Sequence, residues 1–158
     1  MKWLKYGEYK KPTAKYWQHK VQYKGKWFDS THERDRYIYL QHLEKQGKIS
    51  NLRTQVSFEL ITQTTKTVPI QLKTKIRYDE KVVEQNAEYT CDFVYIENGK
   101  YICEEFKSEQ TAKLADYVLR RKLMIKKMYA HNAKGKGQWI FREVVYSLGN
   151  GATTIEDK

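Results

Sequence analysis

The spacing of apolar and polar residues along the chain predicts a mixture of strands and helices. Val56, Phe58 and Leu60 occupy every second position of the segment 53–61, which is the two-residue period of a strand with one buried face. Similar patterns predict other strands. They cover about 88–96, 101–106 and 139–146, and a small hairpin over 21–28 that turns at Lys24-Gly25.

Two segments have helical spacing instead. Ser30 followed by Glu33 is a capping box and Gly47 is a stop signal, so the first helix is predicted from Thr31 to Gln46. A longer helix is predicted at about 109–130. Its predicted apolar stripe consists of Leu114, Ala115, Val118, Leu119, Ile125, Met128 and Tyr129.

The order of these elements predicts an α/β fold with a mixed central sheet flanked by helices. The long helix lets the strand at 139–146 return parallel to the strand at 101–106. Residues 66–78 are more polar and contain Pro69, so we predict an edge strand or two short strands there, followed by a loop over 79–86.

Asn98-Gly99 is a strong hairpin signal between two apolar segments. A two-residue loop at this point pairs Asp92 with Glu105. Because side chains alternate along a strand, Lys107 shares the face of both carboxylates. Carboxylates about 5 Å apart repel by roughly 3 kcal/mol at an effective dielectric of about 20, so a cation is expected to offset the repulsion.

Composition adds a nucleic-acid hypothesis. The 158 residues are a normal length for one domain, and 30 Lys and Arg against 19 Asp and Glu give a net charge of +11. Such an excess indicates a polyanionic partner, most often nucleic acid, and a basic protein without such a partner is the alternative. No apolar run suggests a membrane span, and the first residues lack the apolar centre of a signal peptide. We expect a basic aromatic arm at 1–20, a domain at 21–147 and a flexible tail at 148–158.

Aromatic residues lie among lysines near the N-terminus. Lysines such as Lys20 and Lys24 can contact phosphates while neighbouring rings stack on unpaired bases. The alternative is a lid or tail whose rings pack on the domain. The aromatic residues are Trp3, Tyr6, Tyr9, Tyr16, Trp17, Tyr23 and Trp27.

The two cysteines are not cross-strand partners in the predicted register. Cys103 faces Val94, and Cys91 faces Phe106. We therefore expect no disulfide framework and a reducing, cytosolic setting.

Asp92, Glu105 and Lys107 carry the candidate chemistry. Two converging carboxylates form an oxygen site that suits Mg²⁺, with Mn²⁺ as an alternative. A lysine beside them can stabilise the charge that develops on a phosphate or orient an attacking water. These three residue types are therefore compatible with hydrolysis of a phosphodiester bond. The alternative is a solvated sheet face with a cross-strand ion pair.

An aspartate, a hairpin and then Glu-x-Lys, with a glutamate on a preceding helix, resembles the PD-(D/E)xK nuclease superfamily of restriction-endonuclease-like fold. The resemblance implies that Asp92, Glu105 and Glu33 are catalytic and bind Mg²⁺. The carbonyl of Phe106 would complete the metal shell, and Lys107 would be catalytic. Glu33 already has a structural reason in the capping box, so both of its roles stay open.

A closer resemblance covers about residues 21–145. It is carried by GKWFDSxxE from Gly25, DFVY from Asp92, EEFK from Glu104 and FREV from Phe141. These motifs are similar to a family of small phage- and prophage-encoded proteins of the same superfamily, related to Holliday-junction resolvases. The resemblance implies a metal-dependent endodeoxyribonuclease that selects branched DNA and acts as a homodimer in the bacterial cytosol, in phage recombination or DNA processing. The alternatives are a non-catalytic DNA-binding protein, or a nuclease subunit of a larger transposition or packaging complex.

Further DNA contacts are expected at the start of the long helix and along it. Lys113 and Gln110 follow the candidate site directly and are our preferred phosphate contacts. Arg120 and Arg121 lie on the polar side of the predicted helix, where they either hold the DNA backbone or form an ordinary solvated face.

The chain departs from the family pattern in three places. Cys91 stands where proline is usual, Ser108 stands where glycine is frequent, and the segment 62–86 is longer than a minimal member needs. The resemblance makes Gln55 a neighbour of the site, with a solvated strand glutamine as the alternative.

Overall fold

The computed structural model describes residues 20–135, 137–147 and 151–156. The chain divides into two compact units, residues 1–35 and 36–158. The expected structure of the arm at 1–20 lies, apart from Lys20, outside the described residues.

The first unit contains the predicted small hairpin. Its strands are β1, Val21–Tyr23, and β2, Lys26–Phe28, which pair antiparallel. Lys24 and Gly25 have φ angles of 48° and 79°, as expected for a two-residue turn that needs positive φ at both positions. Helix α1 spans Thr31–Lys45, within one residue of its prediction, and the boundary between the units falls inside it.

The second unit continues with strands and one long helix. A 3₁₀ turn at Thr111–Lys113 precedes that helix. The elements are β3, Ser50–Ile61; β4, Thr64–Gln71; β5, Ile76–Glu84; β6, Ala87–Glu97; β7, Lys100–Ser108; α2, Ala115–Asn132; β8, Trp139–Ser147; and β9, Gly151–Glu156.

The mixed central sheet of the α/β prediction is confirmed. Its five strands lie in the order β3-β6-β7-β8-β9. Strand β8 runs parallel to β7, and the other neighbouring pairs are antiparallel. Helix α2 forms the long connection that a parallel return requires. None of the helices in the described part of the chain combines the length and apolar character that crossing a membrane demands.

Three segments differ from their predictions. Residues 79–84 belong to strand β5 and not to a loop. The sequence did not show this strand, because its side chains are exposed on both faces and so lack hydrophobic alternation. The long helix does not start at 109, because Leu114 is extended, with φ −65° and ψ 132°. Within the tail predicted as flexible, residues 151–156 pair with β8 as β9.

Helix α2 packs one face of the sheet with a stripe that overlaps the predicted one in part. Met128 is buried as predicted, and Val118 and Ile125 are partly buried against the core. Tyr117, Met124 and Met128 are buried in the core, whereas Leu119 is 60% exposed. The true stripe passes through Arg121, and this charged residue concealed it in the sequence. The buried core cluster consists of Tyr89, Cys91, Val94, Cys103, Tyr117, Met124, Met128 and Phe141.

Cys91 and Cys103 form a disulfide bond inside this core, so the expectation of no disulfide was wrong. Their Cα atoms are 6.2 Å apart, within the usual range for disulfides. Tyr89, Cys91 and Val94 all belong to the same core. Regular alternation cannot place both Cys91 and Val94 on one face, so β6 must break its alternation between them. The cysteines therefore no longer support a reducing setting.

The opposite face of the sheet packs against the part of α1 that belongs to the second unit. Tyr37 stacks on Phe93 with ring centroids 6.3 Å apart. The fully buried carboxylate of Glu104 accepts two hydrogen bonds from Arg36, at 2.7 and 2.8 Å, and one from the Tyr95 hydroxyl at 2.7 Å. Glu104 is therefore a structural anchor for α1.

Replacing Arg36 by Met should lower the free energy of unfolding by about 3 kcal/mol, because the buried Glu104 carboxylate loses its two hydrogen bonds from Arg36 and keeps Arg142 as a more distant cation, at 4.0 Å. Urea denaturation measures the change. Adding Glu104→Gln to Arg36→Met should recover part of the loss, since the buried charge is then gone. Arg120→Gln removes an exposed arginine that is paired with Asp116 and should cost at most about 0.5 kcal/mol. An equal loss in the single and the double variant would show that packing, not charge, is what Arg36 supplies.

Candidate functional site

Asp92 lies where the ladder between β6 and β7 ends. The pairing has the predicted register from Glu97 opposite Lys100 to Phe93 opposite Glu104, but the predicted pair of Asp92 with Glu105 is not part of this ladder. Beyond that point the side chain of Asp92 takes the place of a backbone partner for β7: the Phe106 backbone N–H donates a hydrogen bond to Asp92 Oδ2 at 2.9 Å. The break in β6 therefore fixes one oxygen of this carboxylate against the main chain of β7.

Lys107 is the cation that lies between the two predicted carboxylates. Its Nζ is 3.6 Å from Asp92 Oδ2, and it also forms an ion pair with Glu105 Oε1. The lysine side chain is 26% exposed, against 12% for Asp92 and 4% for Glu105. The structure thus brings the three residues together, with the lysine as the most accessible of them.

One oxygen of Glu105 lacks a well-formed hydrogen bond. Among the described residues, Oε2 of Glu105 and the hydroxyl of Tyr89 are buried without a hydrogen bond of normal geometry. Tyr89 nevertheless lies close enough to Glu105 to favour its ionised form, which lowers the pKa of Glu105. Most buried polar groups in proteins are bonded, and an unbonded acceptor costs free energy. A carboxylate oxygen in this condition is a suitable ligand for a hard cation.

Burial and mutual repulsion raise the pKa values of both carboxyls. Burial raises the pKa of Glu105 to about 7 from its ordinary value of 4.5, the charge of Asp92 adds to the increase, and Lys107 opposes it. Burial also raises the pKa of Asp92, against the opposing effects of Lys107 and the Phe106 N–H. The pair thus holds protons more tightly than ordinary carboxyls.

Gln55 is a neighbour of the site, as the resemblance implied. Its Nε2 donates to Asp92 Oδ1 at 3.3 Å. Gln55 has a φ of 53°, a left-handed conformation that is uncommon for a residue with a Cβ. It lies on β3 between Thr54, opposite Phe93, and Val56, opposite Cys91. The unusual backbone of β3 therefore lies directly across from the break in β6.

Glu143 is a buried carboxylate beside the site that the sequence did not reveal as such. It lies opposite Glu105 in the parallel pairing of β7 with β8. The Tyr117 hydroxyl donates to it at 2.6 Å, and Arg121 donates to both of its oxygens at 2.7 and 2.8 Å. Only the parallel register brings Glu143 here, and no local spacing signals that register.

The ring of Tyr117 connects this second carboxylate to the predicted site. Lys107 Nζ lies 5.7 Å from the ring centroid, and the Arg121 guanidinium carbon lies 5.6 Å from it. Both distances are in the range of cation–π attraction. Arg121 is thus the counter-ion of Glu143 and does not lie on a purely solvated face, and its contact with DNA stays a prediction.

The other predicted DNA contacts of the second unit lie on the surface. Arg120 forms an exposed pair with Asp116, and Lys113 forms one with Glu109. Gln110 is the residue before the 3₁₀ turn and is exposed. These side chains are accessible to a phosphate backbone, and their role in binding stays a prediction.

In the first unit, Glu33 caps helix α1. Its backbone N–H donates to Ser30 Oγ at 3.1 Å, and its Oε2 accepts the Asp29 N–H at 2.9 Å. The carboxylate reaches one residue further back than in a standard capping box. Lys20 pairs with Asp29 at 3.3 Å, and Lys24 lies over the ring of Tyr23.

In metal-free buffer, the raised pKa of Glu105 should make the protein less stable as the pH rises from about 4.5 to about 7. Over this range the unfolded chain has lost the proton that the native state still binds. Glu105→Gln should remove this pH dependence and raise the unfolding free energy above pH 7 by about 1–3 kcal/mol. Urea denaturation with EDTA from pH 4 to 8 tests it, with the exposed Glu84→Gln as control. A Glu105→Gln protein with the pH dependence of the unmodified chain would contradict it.

Comparison with known proteins identifies a family but not an activity. No curated protein and no solved structure matches the chain. Residues 13–148 match one family model, described as a protein of unknown function (DUF1064). Because this match spans most of the sequence, the chain belongs to the DUF1064 family.

Proposed function

We propose that this protein is a Mg²⁺-dependent endodeoxyribonuclease, with Mn²⁺ as an alternative metal, whose site consists of Asp92, Glu105 and Lys107. The observation that carries the proposal is the buried pair of carboxylates, in which one Glu105 oxygen lacks a well-formed hydrogen bond. The predicted resemblance to PD-(D/E)xK nucleases names the same three residues.

The balance of buried charge supports a cation at this position. Glu104 is paired with Arg36, and Glu143 is paired with Arg121. Asp92 and Glu105, in contrast, share a single lysine, so these three side chains carry one excess negative charge when both carboxyls are ionised. Buried charges in proteins are normally paired or coordinate a metal.

These residues fit a divalent cation bound by two carboxylates. In the described part of the chain, no group of three or more His, Cys, Asp or Glu side chains is arranged to bind a metal. Mg²⁺ does not require such a group, since it is commonly bound by one or two carboxylates, water and substrate phosphate. When bound, the metal would activate a water molecule and stabilise the leaving oxygen. Glu33 and the Phe106 carbonyl as further ligands stay predictions.

The side chains around the carboxylates have separate roles in this proposal. The Phe106 N–H and Gln55 hold the two oxygens of Asp92 in place. Lys107 donates to the reacting phosphate or orients the attacking water, for which its partial exposure leaves it accessible. The cation–π contact with Tyr117 restrains the position of the Lys107 ammonium group beside the carboxylates.

The charge of the chain favours a nucleic acid as the substrate. A net charge of +11 attracts a polyanion over a long range and speeds its association. We assign DNA, and branched DNA in particular, from the predicted resemblance to junction resolvases. The homodimer, the bacterial cytosol and the phage setting belong to the same proposal.

Metal binding should stabilise the fold without any substrate present. At about ten times its dissociation constant, Mg²⁺ or Mn²⁺ should raise the melting temperature by about 3–6 °C. Differential scanning fluorimetry with and without EDTA measures this shift. Asp92→Asn, which keeps the shape of the side chain, should abolish it, and Asp116→Asn on the exposed face of α2 should not. An equal shift in the Asp92→Asn variant would place the bound metal elsewhere.

Metal-dependent cleavage is the direct test of the activity. Labelled four-way junction, flap, duplex and single-stranded DNA should be cut with Mg²⁺ or Mn²⁺ and not with EDTA, and Asp92→Asn should slow cutting at least about 10²-fold. Asp116→Asn is the matched control and should cut at the normal rate. Tight, salt-sensitive binding without cutting under any metal would refute catalysis by the isolated chain. That result would favour a non-catalytic DNA-binding protein or a nuclease subunit that needs its complex.

A further inference from the structure

Strands β4 and β5 form a long ribbon that the proposed site does not use. Within the described chain they pair only with each other, from Thr64 opposite Glu84 to Gln71 opposite Ile76. The turn is closed by the Leu72 N–H, which donates to the Lys75 carbonyl at 2.9 Å. A two-stranded ribbon alone is marginally stable in water, so this one gains from a binding partner.

One face of the ribbon exposes apolar and aromatic side chains. Tyr78 is 67% exposed, Ile76 is 52% exposed and Val82 is 40% exposed. Their partners across the ribbon are Pro69 for Tyr78, Gln71 for Ile76 and Thr65 for Val82. All six side chains lie on the same face because the positions alternate along both strands. The pair of Thr67 and Glu80 lies on this face as well, between Tyr78 and Val82, and the Thr67 hydroxyl donates a hydrogen bond to the Glu80 carboxylate. The face therefore mixes apolar groups with groups that form hydrogen bonds.

The other face and the turn carry unneutralised positive charge. Lys66 lies directly opposite Lys81, an arrangement of like charges that weakens a sheet. Lys73 and Lys75 lie in the turn and are exposed. None of these four lysines has an acidic partner among the residues that the structure describes. An anion between Lys66 and Lys81 would convert their repulsion into attraction.

The charge is concentrated towards the tip. The segment 60–78 contains Lys66, Lys73, Lys75 and Arg77 and no Asp or Glu. The acidic residues Asp79 and Glu80 lie opposite Val68 and Thr67, between the Lys66–Lys81 pair and the turn. Asp79 pairs with Arg77, and Glu80 accepts a hydrogen bond from Thr67. The turn itself carries Lys73 and Lys75 and no acidic residue. The distal part of the ribbon is therefore complementary to a polyanion.

We propose that the β4–β5 ribbon docks into the major groove of duplex DNA, with the Tyr78 face towards the base edges and the turn lysines Lys73 and Lys75 on the phosphates. Lys66 and Lys81 start on the opposite face, and their flexible four-carbon stems carry the charge past the edges of the ribbon to the same phosphates. The major groove is about 12 Å wide and admits a two-stranded ribbon. Threonine and glutamine can bond base edges there, and apolar groups can contact the thymine methyl. The inference rests on the proposed function only in taking DNA as the partner.

The test uses the full chain and measures binding without catalysis. Fluorescence anisotropy with EDTA gives the Kd for a 25-bp duplex and for the corresponding single strand at several salt concentrations. Lys66→Gln/Lys73→Gln/Lys75→Gln should weaken duplex binding at least about tenfold and reduce the salt slope by about 2–3. It should weaken single-strand binding by no more than about threefold, because a single strand has no groove.

The matched control removes three exposed lysines outside the ribbon. Lys45→Gln/Lys48→Gln/Lys100→Gln changes the net charge equally and should affect duplex binding by no more than about threefold. Equal losses in the two triple variants would reduce the effect to net charge and overturn the proposal. Melting temperatures of both variants equal to that of the unmodified chain verify that they fold. Folding of the ribbon variant is favoured because Lys66→Gln removes the repulsion between Lys66 and Lys81.

Tyr78→Ala separates groove contact from charge. It should weaken duplex binding by about threefold or more with an unchanged salt slope, since it removes no phosphate contact. If Tyr78→Ala instead changes the sedimentation coefficient and leaves DNA binding intact, the face binds a second copy of the chain and the proposal fails. If duplex binding depends on the ribbon lysines but the protein never cuts DNA, only the proposed nuclease function is refuted. If the protein cuts DNA with metal and the ribbon variant binds duplex as tightly as the unmodified chain, only the proposed docking of the ribbon is refuted.

Discussion

The buried repulsion between Asp92 and Glu105 is the interaction on which the candidate site depends. Both carboxyls lie in the sheet, both have raised pKa values, and a single lysine lies between them. A sequence selected only for stability would place apolar residues at such positions, because ionised groups are costly to bury. The arrangement supports the proposal that a cation completes the balance of charge at this site.

The two faces of the sheet treat buried charge in different ways. On the face of α1, Glu104 has three hydrogen bonds and an arginine, so it anchors the helix and is chemically silent. On the face of α2, Glu143 is satisfied by Arg121 and Tyr117, whereas its neighbour Glu105 keeps one oxygen without a well-formed hydrogen bond. Adjacent glutamates in one chain thus have opposite roles, and hydrogen-bond partners decide which one is available for chemistry.

The β4–β5 ribbon presents the same physical situation with the sign reversed. Lys66 and Lys81 are paired across the ribbon without an acidic partner among the described residues, and Asp92 and Glu105 repel each other at the site. Like charges in opposition are stable only where something else compensates them. DNA with a bound metal ion would supply both a cation for the carboxylates and a phosphate backbone for the lysines. This links the two proposals, although each is tested by its own experiment.

Local sequence patterns determined much of the fold. Asn98-Gly99 set the register of β6 with β7, because a two-residue turn leaves one way to pair its strands. Ser30 and Gly47 marked α1 within one residue. The same register placed Asp92, Glu105 and Lys107 together, since their spacing needs only a hairpin and strand alternation.

What the sequence could not supply were the features that depend on contacts between distant segments. The break of alternation in β6 brought Cys91 to Cys103, and no local pattern announces such a break. The parallel register of β7 with β8 brought Glu143 to Glu105, and with it Arg121. Strand β9 and residues 79–84 of β5 lack a hydrophobic period because their side chains are exposed on both faces. Periodicity reports burial along one segment, and only the tertiary structure decides which segments meet and which buried charges find a partner.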